Sequence, residues 1–374
     1  VEYLRSFIFG GFPWNLTVFS LSNNLSSIQI LSYIGTYSLN LLTITIFTLP
    51  VIVFFNYNNR IKLITLFFSF LLIITNIAYG KYNIQKFQVK NHKNLESIVR
   101  IISPNVPIER FLTQQDPNKN ILELIKLSDP DKSKNIIFIF PEGIVSGIYS
   151  NDLKIFKKLF KENYSYNHKI ILGINDYDNE KIFNSLVVLN ANMDQLFKYF
   201  KNKLVPFGEF LPFEKYLNQI GIKKITQGYK SFSAGNKREI FQINKLKFLP
   251  LICYEIIYSG KINSQKKNYD FILNISEDGW FGKSIGLQQH LTHSIFRSIE
   301  EGKNVIRATN NGFSAFINPK GQIIKMILDK GYIEENTFKF VDKTYFATNG
   351  NKIFFYFVLF YITLIFFLKI RENK

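Results

Sequence analysis

The segment KFLPLICYEI, residues 247–256, contains Cys253, the single cysteine of the 374-residue chain. An apolar run at 248–252 comes directly before this cysteine and predicts a buried strand. A thiol at the end of a strand is held rigidly and can face a cleft, as a catalytic nucleophile must. Taken by itself, the segment fits a buried structural thiol better, because free cysteine is among the most buried residue types. The interpretation therefore depends on whether other segments supply a base and an oxyanion donor.

Apolar runs of this kind recur through the central part of the chain. They predict strands at 98–102, 136–140, 170–174, 185–189, 248–252, 271–275, 305–308 and 314–317. Helical patterns between some of these runs cover 118–127, 152–162 and 288–302. The alternation of strands and helices predicts a layered α/β domain and not an all-β one.

The composition separates the chain into apolar and charged regions. Hydrophobic residues make up 47% of the chain and its net charge is +18, so the apolar residues must be clustered. The basic residues are scattered and do not alternate with aromatic ones, so no nucleic-acid partner is predicted. A single cysteine excludes an intrachain disulfide and a cysteine-rich metal site.

Three apolar stretches predict helices that cross a membrane. They span about 28–55, about 62–80 and 353–368, and the first is long enough to cross a bilayer core of about 30 Å. A buried core helix is the alternative for each stretch. Pro50 should kink the first helix without ending it. Residues 1–27 contain Trp14 and several Phe, which suit a segment at the level of the lipid headgroups.

Positive charges near the ends of these spans predict their orientation. The charges are those of Arg60, Lys62, Lys369, Arg371 and Lys374. They mark the cytoplasmic side, so the region between the second and third spans lies outside. That region is itself rich in lysine, but large domains are translocated regardless of charge.

These features divide the chain into three parts. Residues 1–87 form a membrane part, residues 88–347 an extracytoplasmic domain, and residues 348–374 a last membrane helix with a cytoplasmic tail. The first residue is Val, so we expect the chain to begin inside a longer protein.

Two further segments carry candidate catalytic residues. Glu142 stands between Pro141 and Gly143 at the end of a predicted strand, which is an active-site position in α/β folds. A turn or helix-capping carboxylate is the alternative. The segment YFKNKLVPFGEFLP, residues 199–212, is apolar yet broken by Pro and Gly, and it contains Lys201 and Glu209. Such a segment is typical of a functional loop folded over a cleft.

The order Glu, Lys, Glu, Cys resembles the carbon–nitrogen hydrolase (nitrilase) superfamily, whose signature is a Glu-Lys-Cys triad. It is closer still to the membrane branch of that superfamily, the bacterial apolipoprotein N-acyltransferases. The motifs that carry the resemblance are FPEG at 140–143, YFK at 199–201, LVPFGE at 204–209, ICYE at 252–255 and DGWFG at 278–282. Phe140 stands where the family pattern has Trp.

The resemblance implies a nitrilase-like α-β-β-α sandwich flanked by transmembrane helices, and it gives each site residue a role. Cys253 is the nucleophile, and a nearby ammonium is expected to lower its pKa. Glu142 is the general base, and Lys201 stabilises the oxyanion together with a backbone N–H near Tyr254. The supporting or substrate-binding residues are Glu209, Tyr254, Glu255 and Trp280. Of these, Glu209 orients Lys201 or the incoming amine, while Tyr254 and Glu255 shape the floor of the pocket.

The resemblance also implies an activity and a location. An acyl chain from a phospholipid passes to Cys253 as a thioester, and then to the α-amine of the diacylglyceryl-cysteine at the N-terminus of a lipoprotein. The enzyme is expected to be a monomer without a cofactor. It is expected to be a multi-pass protein of the bacterial inner membrane, with its catalytic domain on the periplasmic side.

Two other interpretations remain open at this point. A membrane-tethered amidase or nitrilase that hydrolyses small amides would have the same fold. A basic, non-enzymatic membrane scaffold would need neither Cys253 nor Glu142. His290 and His293 share one face of a predicted helix, but no third ligand is in view and no metal site is predicted.

Overall fold

A computed structural model describes residues 1–89, 93–113, 116–219, 221, 231–263 and 267–372. The α-helices within these residues are α1 Glu2–Arg5, α2 Leu25–Ile28, α3 Leu31–Thr48, α4 Asn59–Gln88, α5 Pro117–Ser128, α6 Lys157–Asn163, α7 Glu214–Gln219, α8 Gly286–Glu301, α9 Tyr345–Asn349 and α10 Lys352–Glu372. The strands are β1 Lys93–Ser103, β2 Ile136–Ile139, β3 Lys169–Asp178, β4 Lys181–Asn190, β5 Gln195–Phe200, β6 Phe241–Ile243, β7 Leu246–Ile252, β8 Phe271–Glu277, β9 Asn304–Asn310, β10 Ser314–Ile317, β11 Ile323–Ile327 and β12 Gly331–Phe338.

The strands of the described chain form two six-stranded sheets of similar design. The first has the order β12-β1-β2-β3-β4-β5, and the second has the order β11-β10-β9-β8-β7-β6. Strands β1, β2 and β3 are parallel, as are β7, β8 and β9, and the outer pairs are antiparallel. Parallel strands buried on both faces read as continuous apolar runs, which is why the sequence revealed them.

The two sheets pack face to face over an apolar core. This core includes Ile101, Ile139 and Val188 from the first sheet, and Phe248 and Ile306 from the second. Helices α5 and α6 cover the outer face of the first sheet. Helix α8 and the N-terminal segment cover the outer face of the second. The four layers form an α-β-β-α sandwich, and the predicted α/β architecture is confirmed.

The helix predicted at 152–162 is in fact two elements. A 3₁₀ helix spans Ser150–Phe156, and α6 follows it at Lys157–Asn163. The carboxylate of Asp152 accepts the backbone N–H of Tyr149 at 3.0 Å, which tightens the first turn. The apolar spacing is preserved through both elements, so the sequence pattern did not reveal the change.

The first predicted membrane span is interrupted. Gly35 adopts φ 72° inside α3, and a Cβ atom there would lie 2.0 Å from the ring of Phe346. The α-helix ends at Thr48, and a 3₁₀ helix containing Pro50 continues to Phe54. By length and composition, Leu31–Phe54 and Asn59–Gln88 could each cross a membrane. A shorter apolar stretch, Lys352–Phe367, begins α10.

Candidate functional site

Three strand ends on the same edge of the sandwich carry the predicted catalytic residues. Glu142 follows β2, Lys201 follows β5 and Cys253 follows β7. Strand β5 runs in the same direction as β2 and β3, because β4 is antiparallel to both β3 and β5. The carboxyl ends of these strands therefore bring residues that are far apart in sequence to one place.

A glycine on the neighbouring strand fixes the turn that holds Glu142. A Cβ atom on Gly173 would lie 2.4 Å from the Cα of Glu142, so only glycine fits at this position. The backbone N–H of Gly173 donates to the carbonyl of Pro141 at 3.1 Å, and its carbonyl accepts from Ile144 at 3.2 Å. The Glu142 carboxylate is thereby held at the edge of the sheet, and the side chain is buried.

Cys253 occupies a sharp turn between β7 and a 3₁₀ helix that spans Cys253–Ile257. Its φ is +50°, a left-handed conformation that is uncommon for a residue with a side chain. Its side chain is partly exposed and lines a cavity. Strained conformations of this type cluster at active sites, where the surrounding structure must hold them.

Lys201 lies between two carboxylates. Its Nζ is 3.2 Å from Oε1 of Glu142 and 2.8 Å from Oε1 of Glu209, and the side chain is only 1% exposed. The other Glu209 oxygen accepts the backbone N–H of Val205 at 2.9 Å, which closes the loop that follows Lys201. Glu209 therefore holds the Lys201 ammonium, one of the two arrangements that the sequence predicted for it.

Asn184 joins the two carboxylates and was missed from the sequence. Its Nδ2 donates to Oε1 of Glu142 at 2.6 Å and to Oε1 of Glu209 at 3.0 Å. Its backbone carbonyl accepts the N–H of Lys201 at 2.8 Å. The signal that could have found it is a polar residue within the apolar run IFNSLVVL, residues 182–189. Such a residue on a buried strand needs a hydrogen-bonding partner.

A second missed pair supports the other oxygen of Glu142. The backbone N–H of Glu277 donates to Oε2 of Glu142 at 2.8 Å. The Glu277 carboxylate is itself buried, forms an ion pair with Arg110 and accepts from Asn310 at 2.8 Å. Both oxygens of Glu142 thus accept hydrogen bonds, which fix the position of its carboxylate.

The pKa of the Cys253 thiol is raised, whereas the sequence led us to expect a lowered one. Burial is the largest cause, and the negative charge of Glu142 adds to it. The ammonium of Lys201 and a hydrogen bond from Ser276 act in the opposite direction but do not outweigh them. The expectation of a lowered pKa was wrong because it considered the ammonium of Lys201 but not the burial of the thiol. At neutral pH the resting thiol is protonated.

Burial also affects the pKa of Lys201, but here the neighbouring negative charges have the larger effect. Burial lowers the pKa of the ammonium, while Glu142, Glu209 and Cys253 raise it, and the net result is well above the ordinary value. Lys201 is therefore a permanent positive charge at the floor of the cavity. A fixed charge of this kind, with little water around it, can stabilise an anion that forms nearby.

The cavity above these residues has a volume of about 400 Å³. Its floor is polar and its walls are aromatic. The floor is formed by Glu142, Asn184, Lys201, Glu209, Cys253 and Glu277. The aromatic wall residues are Phe12, Trp14, Phe111, Phe232, Tyr254, Trp280 and Phe281. The arrangement can bind a mainly apolar molecule and present one polar group of it to the thiol.

Family models match most of this chain. The carbon-nitrogen hydrolase family matches residues 106–332, and the apolipoprotein N-acyltransferase N-terminal domain matches residues 1–49. An apolipoprotein N-acyltransferase from Rickettsia bellii is 32% identical over 97% of this chain and 73% of its own length. The chain belongs to the apolipoprotein N-acyltransferase family. The resemblance noted from the sequence motifs is confirmed.

Other members of the family are longer than this chain. The apolipoprotein N-acyltransferases of Rickettsia prowazekii and Rickettsia typhi are 33% and 32% identical over 87% of this chain, which spans 65% of the length of each. Among solved structures, a CN-hydrolase superfamily protein from Xanthomonas campestris is similar with a TM-score of 0.46 at 15% identity. That similarity covers 66% of this chain and 91% of the solved one.

The remaining predicted residues of this family member lie at two different depths. Trp280 is 53% exposed and stacks on Phe111 at the mouth of the cavity, with ring centroids 5.7 Å apart. Tyr254 is buried, lines the cavity wall and donates a hydrogen bond to the carbonyl of Gly11. Both residues line the cavity, and their role in substrate binding stays a prediction.

Glu255 lies behind the cavity and does not line it. Its carboxylate is fully buried and forms an ion pair with Arg238 at 2.6 Å. It also accepts from the hydroxyl of Tyr199 and from the backbone N–H groups of Asn202, Lys203 and Ile252, at 2.7 to 3.0 Å. Glu255 therefore ties the chain after Lys201 to the strand before Cys253, and does not form part of the pocket floor.

The N-terminal segment packs on the catalytic domain. Trp14 is 9% exposed, and its Nε1 donates to Oε1 of Gln289 at 2.7 Å. Its carbonyl is 3.1 Å from Nε2 of His293, while Nδ1 of His290 is 2.9 Å from Oδ1 of Asp278. Within the described residues, the two histidines are not part of any cluster able to hold a metal ion.

Proposed function

We propose that this protein is an apolipoprotein N-acyltransferase that moves an acyl chain from a phospholipid, through a thioester on Cys253, to the α-amine of a lipoprotein's diacylglyceryl-cysteine. The observation that carries the proposal is the set of Glu142, Lys201 and Cys253 on the floor of a cavity with aromatic walls. A polar floor suits an ester, and an aromatic wall suits the chain attached to it.

In the first step the thiol attacks the ester carbonyl. Because the resting thiol of Cys253 is protonated, Glu142 takes the proton as the sulfur–carbon bond forms. The oxyanion that develops is stabilised by the ammonium of Lys201. Collapse of the tetrahedral intermediate breaks the ester C–O bond. The lysophospholipid leaves as an alcohol with the proton from Glu142, and the acyl group remains as a thioester.

In the second step the α-amine of the lipoprotein attacks the thioester carbonyl. Glu142 takes a proton from the attacking nitrogen, and Lys201 again faces the oxyanion. Collapse breaks the C–S bond and forms the amide, and the sulfur leaves with the proton held by Glu142. The hydrogen bond that Asn184 donates to Glu142 holds the base in place through both steps, and the one that Glu209 accepts from Lys201 holds the ammonium.

The apolar helices support a location in the bacterial inner membrane. In this arrangement residues 1–87 and 348–374 contribute the membrane-spanning segments. Residues 88–347 form the catalytic domain on the periplasmic side, as the positive charges of the short loops indicate. A lipid substrate then reaches the cavity from the bilayer, and the protein acts as a monomer.

Labelling of the thiol tests the proposal. The full chain is incubated in detergent with a phospholipid that carries a labelled acyl chain, and the protein is then digested and analysed by mass spectrometry. We expect one acyl group on Cys253 that is released by neutral hydroxylamine, and none on Cys253→Ala. Addition of a diacylglyceryl-cysteine peptide should transfer the label to its amine. Turnover of small amides without an acyl-enzyme would instead identify a tethered amidase.

A genetic experiment tests the same proposal against a non-enzymatic scaffold. The gene is expressed in a bacterium depleted of its own N-acyltransferase, and growth is compared with that of the Cys253→Ala and Glu142→Gln variants. We expect growth only with the unchanged protein. Equal growth with all three, at equal protein levels, would favour the scaffold.

A further inference from the structure

A second cavity lies at the junction of the N-terminal segment, the loop after the Cys253 turn and the start of α10. Its volume is about 290 Å³. The polar residues that line it include Lys261, Asn263, Thr348, Asn351 and Lys352. Tyr3 and Phe7 of the N-terminal segment line this cavity, whereas Phe12 and Trp14 line the one above Cys253.

The ammonium of Lys261 is half-buried at this cavity. Its Nζ lies 3.2 Å from the centroid of the Phe7 ring and 3.1 Å from Oγ of Ser6. Among the described residues, no carboxylate lies within ion-pair distance of Lys261 or of Lys352. A partly buried cation without a counter-ion is costly, and an anion bound in the cavity would remove that cost.

Other charged groups near the cavity leave its net charge positive. Glu301 also lines it, but its carboxylate accepts a hydrogen bond from Tyr269 at 2.6 Å, and burial raises its pKa. Burial and the positive charge of Lys203 lower the pKa of Lys261 to about 8, so the ammonium is still mainly protonated at neutral pH. The cavity is therefore positively charged in its resting state.

The rim of the cavity is apolar and exposed. Phe7 and Phe355 are 51% and 52% exposed, and Ile8 beside them is 55% exposed. Lys352 is the first residue of α10, whose apolar stretch begins there. A cationic floor beneath an exposed apolar rim matches a molecule with an anionic head and hydrocarbon chains.

We infer that this cavity binds the phosphate group of an anionic phospholipid at the outer face of the membrane, at a site separate from the one at which acyl transfer takes place. Lys261 and Lys352 contact the phosphate, and the exposed rings of Phe7 and Phe355 contact the lipid chains. The location at the membrane face rests on the proposed arrangement of the helices. The charge and shape of the cavity do not depend on that arrangement.

Native mass spectrometry of the full chain in detergent tests the inference. Phosphatidylglycerol and phosphatidylcholine are titrated separately, and the bound fraction is measured for the unchanged protein and for Lys261→Gln/Lys352→Gln. We expect the unchanged protein to bind phosphatidylglycerol on the order of tenfold more tightly than phosphatidylcholine, because two lysines face the added charge. The double variant should lose this preference.

The matched control is Lys157→Gln/Lys158→Gln, which removes the same charge from exposed positions on α6. It should keep the preference for phosphatidylglycerol. Loss of the preference in both double variants would show a general charge effect and would overturn the inference. An unchanged preference in Lys261→Gln/Lys352→Gln would also overturn it. Lys261→Arg keeps the charge and should keep the preference. The single variant Lys352→Gln, at an exposed position, should weaken it even if changes at Lys261 prevent folding.

Two further measurements are needed. One distinguishes a lipid phosphate from free phosphate as the ligand, and the other distinguishes failure of this inference from failure of the proposed acyl transfer. Inorganic phosphate should compete with phosphatidylglycerol only weakly, because it lacks the chains that contact the rim. Equal competition would mean that the cavity is a site for free phosphate and would contradict a lipid site. Formation of the acyl-enzyme on Cys253 should continue in Lys261→Gln/Lys352→Gln. Absence of the acyl-enzyme in every variant would count against the proposed function and leave the lipid preference to be judged by itself.

Discussion

A single amide group at Asn184 joins the proposed base to the carboxylate that holds the proposed oxyanion-stabilising lysine. The two acceptors are oxygens of Glu142 and Glu209, and each would otherwise be a buried anion with one donor fewer. An amide can donate to both without carrying a charge that would compete with Lys201. The position of Glu142 relative to the thiol therefore depends on a residue with no chemical role of its own.

Replacing Asn184 with Leu should reduce the rate of acyl-enzyme formation by roughly 10- to 100-fold, the value of a hydrogen bond to a charged group. The rate is measured with labelled phospholipid, and the thermal unfolding temperature is measured for each variant. Asn192→Leu, at an exposed turn, is the control and should leave both unchanged. A slower rate accompanied by a matching loss of thermal stability would mean that Asn184 has only a structural role.

The raised pKa of Cys253 predicts slow alkylation. Iodoacetamide reacts with the thiolate, and the protein has one cysteine, so labelling reports on this site alone. At pH 8 the folded protein should react more slowly than the unfolded one. Glu142→Gln removes a charge that raises the pKa and should speed labelling, by about tenfold for each unit of pKa that is lost.

Lys201→Met provides the opposite change for the same experiment. It removes the charge that lowers the thiol pKa and should slow labelling further. Rates are measured by mass spectrometry from pH 7 to 10. If both variants changed the rate in the same direction, access to the thiol and not its charge environment would control the reaction.

At the scale of elements, Glu255 connects the ends of β5 and β7 through one buried carboxylate. Its donors come from both sides of the site, so the segments that carry Lys201 and Cys253 are fixed relative to each other. This connection explains why an acidic residue directly follows Tyr254 although it does not reach the cavity.

Glu255→Gln should destabilise the protein by about 3–5 kcal/mol, because it leaves the charge of Arg238 buried without a partner. The measurement is unfolding of the detergent-solubilised protein by heat or urea. The control removes one charge from an ion pair that is exposed to solvent. Lys245 pairs with Glu96 at 2.5 Å on the surface, and Glu96→Gln should cost less than about 1 kcal/mol. Equal losses for the two variants would contradict a buried connection between the strands.

The sequence predicted the elements better than the details of the site. Each of the eight predicted strands overlaps a strand of the structure, because central strands such as β2 and β8 are continuous apolar runs. The break at Gly35 depends on its contact with Phe346 in α9, which one segment cannot reveal. The sequence shows a polar residue at Asn184 but not its partner Glu142, which is 42 residues away, and Arg110 likewise meets Gly143 from 33 residues away.

At the scale of the whole molecule, the N-terminal segment forms part of the cavity wall. Phe12 and Trp14 line the cavity together with residues of the catalytic domain, and Trp14 also packs against His290 and His293. The first family model covers residues 106–332 and the second covers residues 1–49, so the cavity is shared between them. The domain division proposed from hydropathy therefore does not coincide with the boundary of the site.

Trp14→Ala should affect long acyl chains more than short ones, because it removes apolar wall and leaves the polar floor in place. We expect roughly tenfold slower acyl-enzyme formation from a long-chain phospholipid, the effect of losing part of an apolar pocket. The rate with a short-chain thiol-reactive ester should be nearly unchanged. Tyr166→Ala, at a position that is 84% exposed, is the control. If the reactions of both substrates slowed equally, the substitution would act by destabilising the protein and not by removing part of the wall that contacts the acyl chain.

The protonated state of the Cys253 thiol has a consequence for its sensitivity to oxidation. Thiolates attack peroxides and disulfides, whereas neutral thiols react with them only slowly. With its proton retained by burial and by the charge of Glu142, this sulfur is resistant to oxidative damage between turnovers. The electrostatic arrangement that keeps the thiol protonated thus also protects it from oxidation.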